Sequence, residues 1–238
     1  MDFDKYINKH LGERCFILGS SPSINDENLS LIEYEKIFIS NKFFLFTKQL
    51  GLTKYDYYAV TDPYSYKNLY ENYLSELEKI SVPILTTNTV VDLNKIDQLD
   101  NYFIAKKNAE IFLDNNNFPK TFHSEWPRTG SVVFDQTILA FFMGFKEIYL
   151  LGVDFSYFDT QEMTHFYGTG KFEQKQKKKA KLDDKSSQES IIIKNSMKTL
   201  SDYLNSHGVV YKNLSKKFKF HDLMEADALE NVMRSGKY

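Results

Sequence analysis

The chain has 238 residues, 42% of them hydrophobic and 26% charged, which supplies one well-buried core and too little length for two full domains. Thirty basic against thirty-two acidic side chains leave a formal charge of −2, so there is no electrostatic footprint for a polyanion and nucleic acid is not an expected partner. The single Cys15 excludes an internal disulfide and a cysteine-based zinc site, no run approaches the ~20 apolar residues of a membrane span, and the opening MDFDKYINKH has no signal-type apolar core. A cytoplasmic protein is expected.

In chain order, the periodicity predicts a helix at Asp4–Leu11, then strands at Arg14–Leu18, Lys36–Ser40 and Tyr57–Val60. A helix at Tyr64–Ile80, strands at Pro83–Thr86 and Tyr102–Ala105, a helix at Ser131–Met143 and a strand at Glu147–Leu151 follow. A helix at Ser187–Ser206, a strand at Val209–Lys212 and a last helix near Asp222–Met233 complete the set. Short β-branched and aromatic runs alternating with helices predict an α/β domain over residues 1–238, with a mostly parallel sheet flanked by helices. The helix from Ser131 is apolar nearly all round, so it is expected to be covered on two sides. Cys15 lies within a strand, where a buried thiol is the ordinary reading.

One stretch breaks the pattern. From Gly168 to Ser190 there is one aromatic residue, and seven lysines fall between Lys171 and Lys185, so little surface can be buried. It reads as a solvated loop or as a mobile lid over 155–190 that draws an anionic ligand inward.

Chemistry concentrates where strands end. In LGSSPS, Gly19 supplies backbone freedom, Ser20 and Ser21 supply hydroxyls and close N–H groups, and Pro22 stiffens the bend. This is neither a Walker A loop nor a dinucleotide fingerprint. Asn41 follows the second strand and Asp62 the third; each either caps the next helix or faces a ligand. Arg128-Thr129-Gly130-Ser131 opens the long helix, with Thr129 or Ser131 as its cap, and a helix N-terminus beside a guanidinium also suits a phosphate or carboxylate. Asp154 ends an apolar strand as a turn former or as a ligand for a hydroxyl. His165, with Tyr157 and Tyr167 nearby, is suited to proton transfer beside phosphate-binding phenols. Small polar residues at several strand ends point to a phosphorylated or nucleotide-like ligand.

The order LGSSPSI, SNKFF, TDP, RTGS, MGFKEIYLLGVDFSY and HFYG resembles the bacterial sialyltransferases of glycosyltransferase family forty-two. It is similar also to a wider superfamily of flagellin-modifying nonulosonate transferases and hydroxymethylpterin diphosphokinase-like proteins, with uncharacterised surface-polysaccharide biosynthesis members nearest. The resemblance runs through roughly the first 170 residues and is strongest in GFKEIYLLGVDF. It implies a Rossmann-like variant of the GT-A fold and a metal-free site for a CMP-activated acidic sugar, with a glycan acceptor as second substrate. By similarity, Gly19, Ser20, Ser21, Asn41, Asp62, Thr129, Gly130, Ser131 and Asp154 bind the donor, although the family has Asn at the positions of Ser20 and Asp62. A carboxylate at Asp62 beside an anionic donor repels it unless paired. The family's His-Tyr-x-Gly-His string ends here in Thr169, which leaves His165 as the candidate base, with Arg128, Tyr157 and Tyr167 as further catalytic candidates.

The reaction expected from this resemblance is an inverting transfer without a cofactor. An alternative is Mg²⁺-dependent pyrophosphoryl transfer from ATP, with Asp62 and Asp154 as the carboxylates. A third reading is a non-catalytic nucleotide-binding relative. The C-terminal KFKFHDLMEADALENVMRSGKY reads as a packed terminal helix or as a contact with the inner face of a membrane or a neighbouring subunit, and the aromatic-rich surface suits self-association.

Overall fold

The computed structural model describes residues 2–90, 101–155, 165–168 and 185–235. Eight strands form one sheet in the order β6-β5-β4-β3-β2-β1-β7-β8. They are β1 (Arg14–Leu18), β2 (Lys36–Ser40), β3 (Tyr57–Ala59), β4 (Ile84–Thr87), β5 (Tyr102–Phe112), β6 (Glu125–Arg128), β7 (Glu147–Leu151) and β8 (Val210–Asn213). Every neighbouring pair is parallel, so the expected parallel character extends across the whole sheet. The helices are α1 (Pro63–Asn72), α2 (Leu74–Leu77), α3 (Val132–Phe142), α4 (Lys185–Ser206) and α5 (Leu229–Ser235).

A strand sends successive side chains to opposite faces, and the core divides accordingly. Cys15, Ile17, Phe38, Ala59 and Leu85 point to one face and join Phe134 and Ile138 of α3 with Ile193, Met197, Leu200 and Leu204 of α4. Phe16, Leu18, Ile37, Ile39 and Tyr58 point to the other, with Leu69 of α1, Leu77 of α2, and Leu229 and Val232 of α5. The four apolar residues of α4 recur at helical spacing along one stripe, and burying each contributes about 2 kcal/mol. Residues Val133 through Ala140 of α3 are all buried, as its all-round apolar character requires. Cys15 is fully buried, and burial raises its thiol well above the usual range, which keeps it inert.

The structure departs from the expected elements in five places. β6 was not anticipated from the sequence: Pro127 lacks a ladder donor, which β6 tolerates as an edge strand. β5 continues past Ala105 to Phe112. The helix expected over Tyr64–Ile80 divides at Tyr73, whose backbone leaves helical geometry (φ −141°, ψ 30°) as its ring packs against the core. At the N-terminus the expected helix shrinks to a 3₁₀ turn at Phe3–Tyr6, and near the C-terminus helix begins only at Leu229. The C-terminal segment packs all the same, with Phe218, Met224, Leu229 and Val232 buried. No described helix is long and apolar enough to cross a membrane. Of the expected lid, 185–190 belong to α4 and 165–168 lie beside the sheet end; 156–164 and 169–184 fall outside the described residues.

Candidate active site

The strand order locates the site. From β1 the chain steps outward through β2 to β6, then returns to lay β7 on the other side of β1. Between β1 and β7 the direction of winding reverses, and the crevice outside the carboxyl ends of such a pair is where open α/β sheets hold ligands.

Two glycines meet there. Gly19 N donates to Leu151 O at 2.7 Å and Ser21 N donates to Gly152 O at 2.9 Å, so the turn after β1 is sewn to the end of β7. A Cβ on Gly19 would overlap Gly152 O and stand 2.6 Å from Val153 Cγ2, and one on Gly152 would stand 2.8 Å from Gly19 O. Gly152 also has φ +64°, whereas Gly19 has ordinary φ. Close approach, not unusual backbone geometry, is therefore what requires glycine at 19.

Around this seam the polar groups are engaged. Asp154, 2% exposed, accepts hydrogen bonds from Ser23 Oγ and from Ser23 N at 3.3 Å, and its own N–H donates to Ser21 Oγ at 3.1 Å. Burial raises its carboxyl above the usual range, and the bonds from Ser23 oppose that shift. Asp154 thus fastens the two strand-end loops to each other. Behind it, Val153 N donates to Ser215 Oγ at 2.8 Å and Asn213 Nδ2 donates to Val153 O at 2.9 Å, which ties β8 to the same loop. The Ser20 carbonyl accepts from Phe166 N at 2.9 Å, so the short segment 165–168 rests on the first strand-end turn.

The end of β2 carries unsatisfied groups. Asn41 sits at φ +51°, in the left-handed region that non-glycine residues seldom occupy, and its Oδ1 is buried without a hydrogen-bond partner. Its carbonyl accepts from Tyr58 Oη at 3.0 Å. Close by, Gln136 of α3 donates from Nε2 to Ile39 O at 2.8 Å, while its Oε1 is also buried and unpartnered. Two buried acceptors beside one strand end are thus left without a donor, an arrangement that costs stability unless a donor reaches them. Gln136 was not among the expected residues, yet Asp-Gln-Thr inside an otherwise apolar helix was the signal that could have found it.

The start of α3 forms a second group. Ser131 caps the helix, accepting from Val133 N at 3.4 Å, and Gly130 takes φ +78° against Ile193. Thr129 is fully buried, with Oγ1 2.8 Å from Asp135 Oδ1, and Lys107 of β5 reaches Asp135 Oδ2 at 2.6 Å. Arg128, at the end of β6, pairs through Nη2 with Glu189 of α4. Asp62 stands apart: it is exposed and caps α1, accepting from Ser65 N at 2.7 Å. Tyr157 lies outside the described residues. Tyr167 stacks on Phe46 with centroids 5.0 Å apart and planes 8° apart, and His165 stacks on Tyr167 at 5.0 Å and 25°.

Sequence comparison is silent: no family model matches the chain and no curated protein matches it. Solved structures do match. The sialyltransferase CstII from Campylobacter jejuni, in complex with the substrate analogue CMP-3FNeuAc, superimposes with a TM-score of 0.57 at 14% identity, over 90% of this chain and 86% of that one. The same enzyme with a trisaccharide acceptor and CMP gives 0.54 at 15% identity, over 89% and 85%. A MAf glycosyltransferase from Magnetospirillum magneticum AMB-1 gives 0.56 at 17% identity over 95% of this chain, which spans only 37% of that protein. The fold of this chain is thus one that glycosyltransferases use, a parallel α/β sheet whose direction of winding reverses between β1 and β7.

Proposed function

We propose that this protein is a glycosyltransferase that moves an acidic sugar, a sialic acid or related nonulosonate, from a CMP-activated donor to a glycan acceptor in surface polysaccharide synthesis. The observation that carries the reading is the meeting of three strand-end segments at the reversal point: the Gly19–Ser21 turn, the turn that carries the buried, unpartnered Asn41 Oδ1, and the His165–Tyr167 segment. A nucleotide supplies what that crevice lacks, since its amino and hydroxyl groups donate hydrogen bonds to buried acceptors such as Asn41 Oδ1 and Gln136 Oε1. The solved relatives of this fold include complexes with CMP and with a CMP-sugar analogue.

The transfer is a single displacement with inversion. His165 takes the proton of the acceptor hydroxyl as that oxygen bonds to the anomeric carbon, and the bond from that carbon to the CMP phosphate breaks, its electrons leaving with CMP. Tyr167, and Tyr157 with it, donates hydrogen bonds to the departing phosphate. Arg128, whose guanidinium offers five donors of which Glu189 engages part, holds the sugar's carboxylate with the α3 N-terminus at Ser131. One phosphate is a modest charge for phenols and N–H groups to stabilise, so no ion is required. For a Mg²⁺ site the proposed carboxylates fit poorly: Asp154 is committed to Ser23 and Asp62 to Ser65 N.

The test is binding followed by turnover. CMP alone should raise the melting temperature, with no dependence on Mg²⁺, and His165→Ala should abolish CMP release from CMP-N-acetylneuraminic acid while CMP affinity persists. Stabilisation by ATP only in the presence of Mg²⁺ would replace this reading by pyrophosphoryl transfer. Turnover unchanged in His165→Ala would remove the histidine from the mechanism.

A further inference from the structure

The turn after β2, residues Asn41–Phe46, is a 3₁₀ helix, in which side chains three residues apart stand one above the other. That geometry aligns Phe43 with Phe46. Phe43 is fully buried and anchors the turn, and both rings meet the Phe166 ring edge-on, with centroids 5.4 Å and 5.5 Å away. Phe46 alone of the pair also lies flat against Tyr167, which in turn lies nearly parallel to His165. With Phe166 N held by the Ser20 carbonyl, the main chain of this segment is fixed from β1 and its rings are fixed from β2.

We propose that Phe46 is a positioning residue for His165: through Tyr167 it sets the imidazole beside the crevice, so the turn after β2 both binds the ligand at Asn41 and aims the base from Phe46. The inference rests on His165 acting as base, as proposed above. It assigns a role to a residue that itself touches no reacting atom, and it makes the aromatic character of position 46 a requirement for turnover and not for binding.

The experiment uses the full chain labelled with ¹³C at histidine, with the His165 signal assigned by its disappearance in His165→Ala. In the unmodified protein the His165 ring protons carry the upfield ring-current displacement of a stacked imidazole. Phe46→Ala should remove that displacement, and kcat for CMP release from CMP-N-acetylneuraminic acid should fall about tenfold to a hundredfold, the scale on which misplacing a catalytic group acts, with CMP affinity unchanged. Phe46→Tyr should restore both. A His165 signal that keeps its displacement in Phe46→Ala overturns the proposal, as does a loss of CMP affinity equal to the loss of kcat. If Phe46→Ala shifts the signal but His165→Ala leaves turnover intact, the positioning stands as geometry and the assignment of the base fails separately.

Discussion

Replacing Gly19 by alanine adds one methyl group where β1 and β7 end together. At that position the new carbon overlaps the Gly152 carbonyl and presses on Val153 Cγ2 at 2.6 Å, and a backbone oxygen cannot swing aside as a flexible side chain can. The strand ends must part. Overpacking of this kind costs about 1–3 kcal/mol, and weakening the bonds from Gly19 N to Leu151 O and from Ser21 N to Gly152 O adds about 1 kcal/mol each. The expected loss is about 3–5 kcal/mol, which lowers the melting temperature of a chain this size by roughly 6–20 °C. Urea unfolding gives the free energy and calorimetry with CMP gives the binding loss, expected to be larger than that of any single contact because Ser20, Ser21 and Asp154 move together. The comparison variant is Gly51→Ala: φ is +70° but no atom lies within 4 Å of the added carbon, so only backbone strain of about 1 kcal/mol applies, with no effect on binding. A Gly19→Ala protein within about 0.5 kcal/mol of the parent would refute the claim that contact across the reversal point closes the crevice.

Lys107→Met strands Asp135, 1% exposed, without its cation and should cost about 3 kcal/mol in urea unfolding; Lys107→Met combined with Asp135→Leu should recover most of it. Asn41→Gly relieves the left-handed strain and removes an orphaned acceptor, so the melting temperature should hold or rise while the Kd for CMP increases about tenfold, a loss of roughly 1.4 kcal/mol. His10, buried between Glu13, Tyr57 and Phe145, has its pKa lowered from 6.5, chiefly by burial. The unfolded chain then binds the proton more readily, so stability should decline as pH falls below about 6.5, and His10→Gln should flatten that slope in urea unfolding between pH 7.5 and 5.

The central strands were legible because their apolar runs are bounded by polar or glycine residues: the limits of β1, β2 and β7 coincide with the expected ones. At the far edge the signal fades. Lys106-Lys107-Asn108 in β5 and Glu125-Trp126-Pro127-Arg128 in β6 have no apolar alternation, and in β6 the two buried residues, Trp126 and Pro127, are adjacent in sequence. Within the site, the strand-end positions of Gly19, Ser20, Ser21, Asn41 and Asp154 could be named, but not what each one does. Whether Asp62 caps α1 or faces a ligand depends on side-chain direction, and whether Gly19 serves freedom or proximity depends on β7, more than a hundred residues away. Phe46 gave no cue: among 16 Tyr and 20 Phe, one more aromatic ring is unremarkable until its neighbours in space are known.

The late return of β7 has a consequence for synthesis. β1 pairs with a strand over 130 residues downstream, register Ile17 to Leu150, so while the outward half of the sheet can assemble as it emerges, one flank of β1 stays unpaired until well past the middle of the chain. During that interval the nascent protein exposes an apolar edge strand, the feature most prone to mispairing, and it has no crevice with which to recruit a stabilising ligand. Small molecules that bind the finished protein should therefore protect it against unfolding without hastening its first folding, and truncations that end before Glu147 should aggregate rather than form a smaller soluble domain.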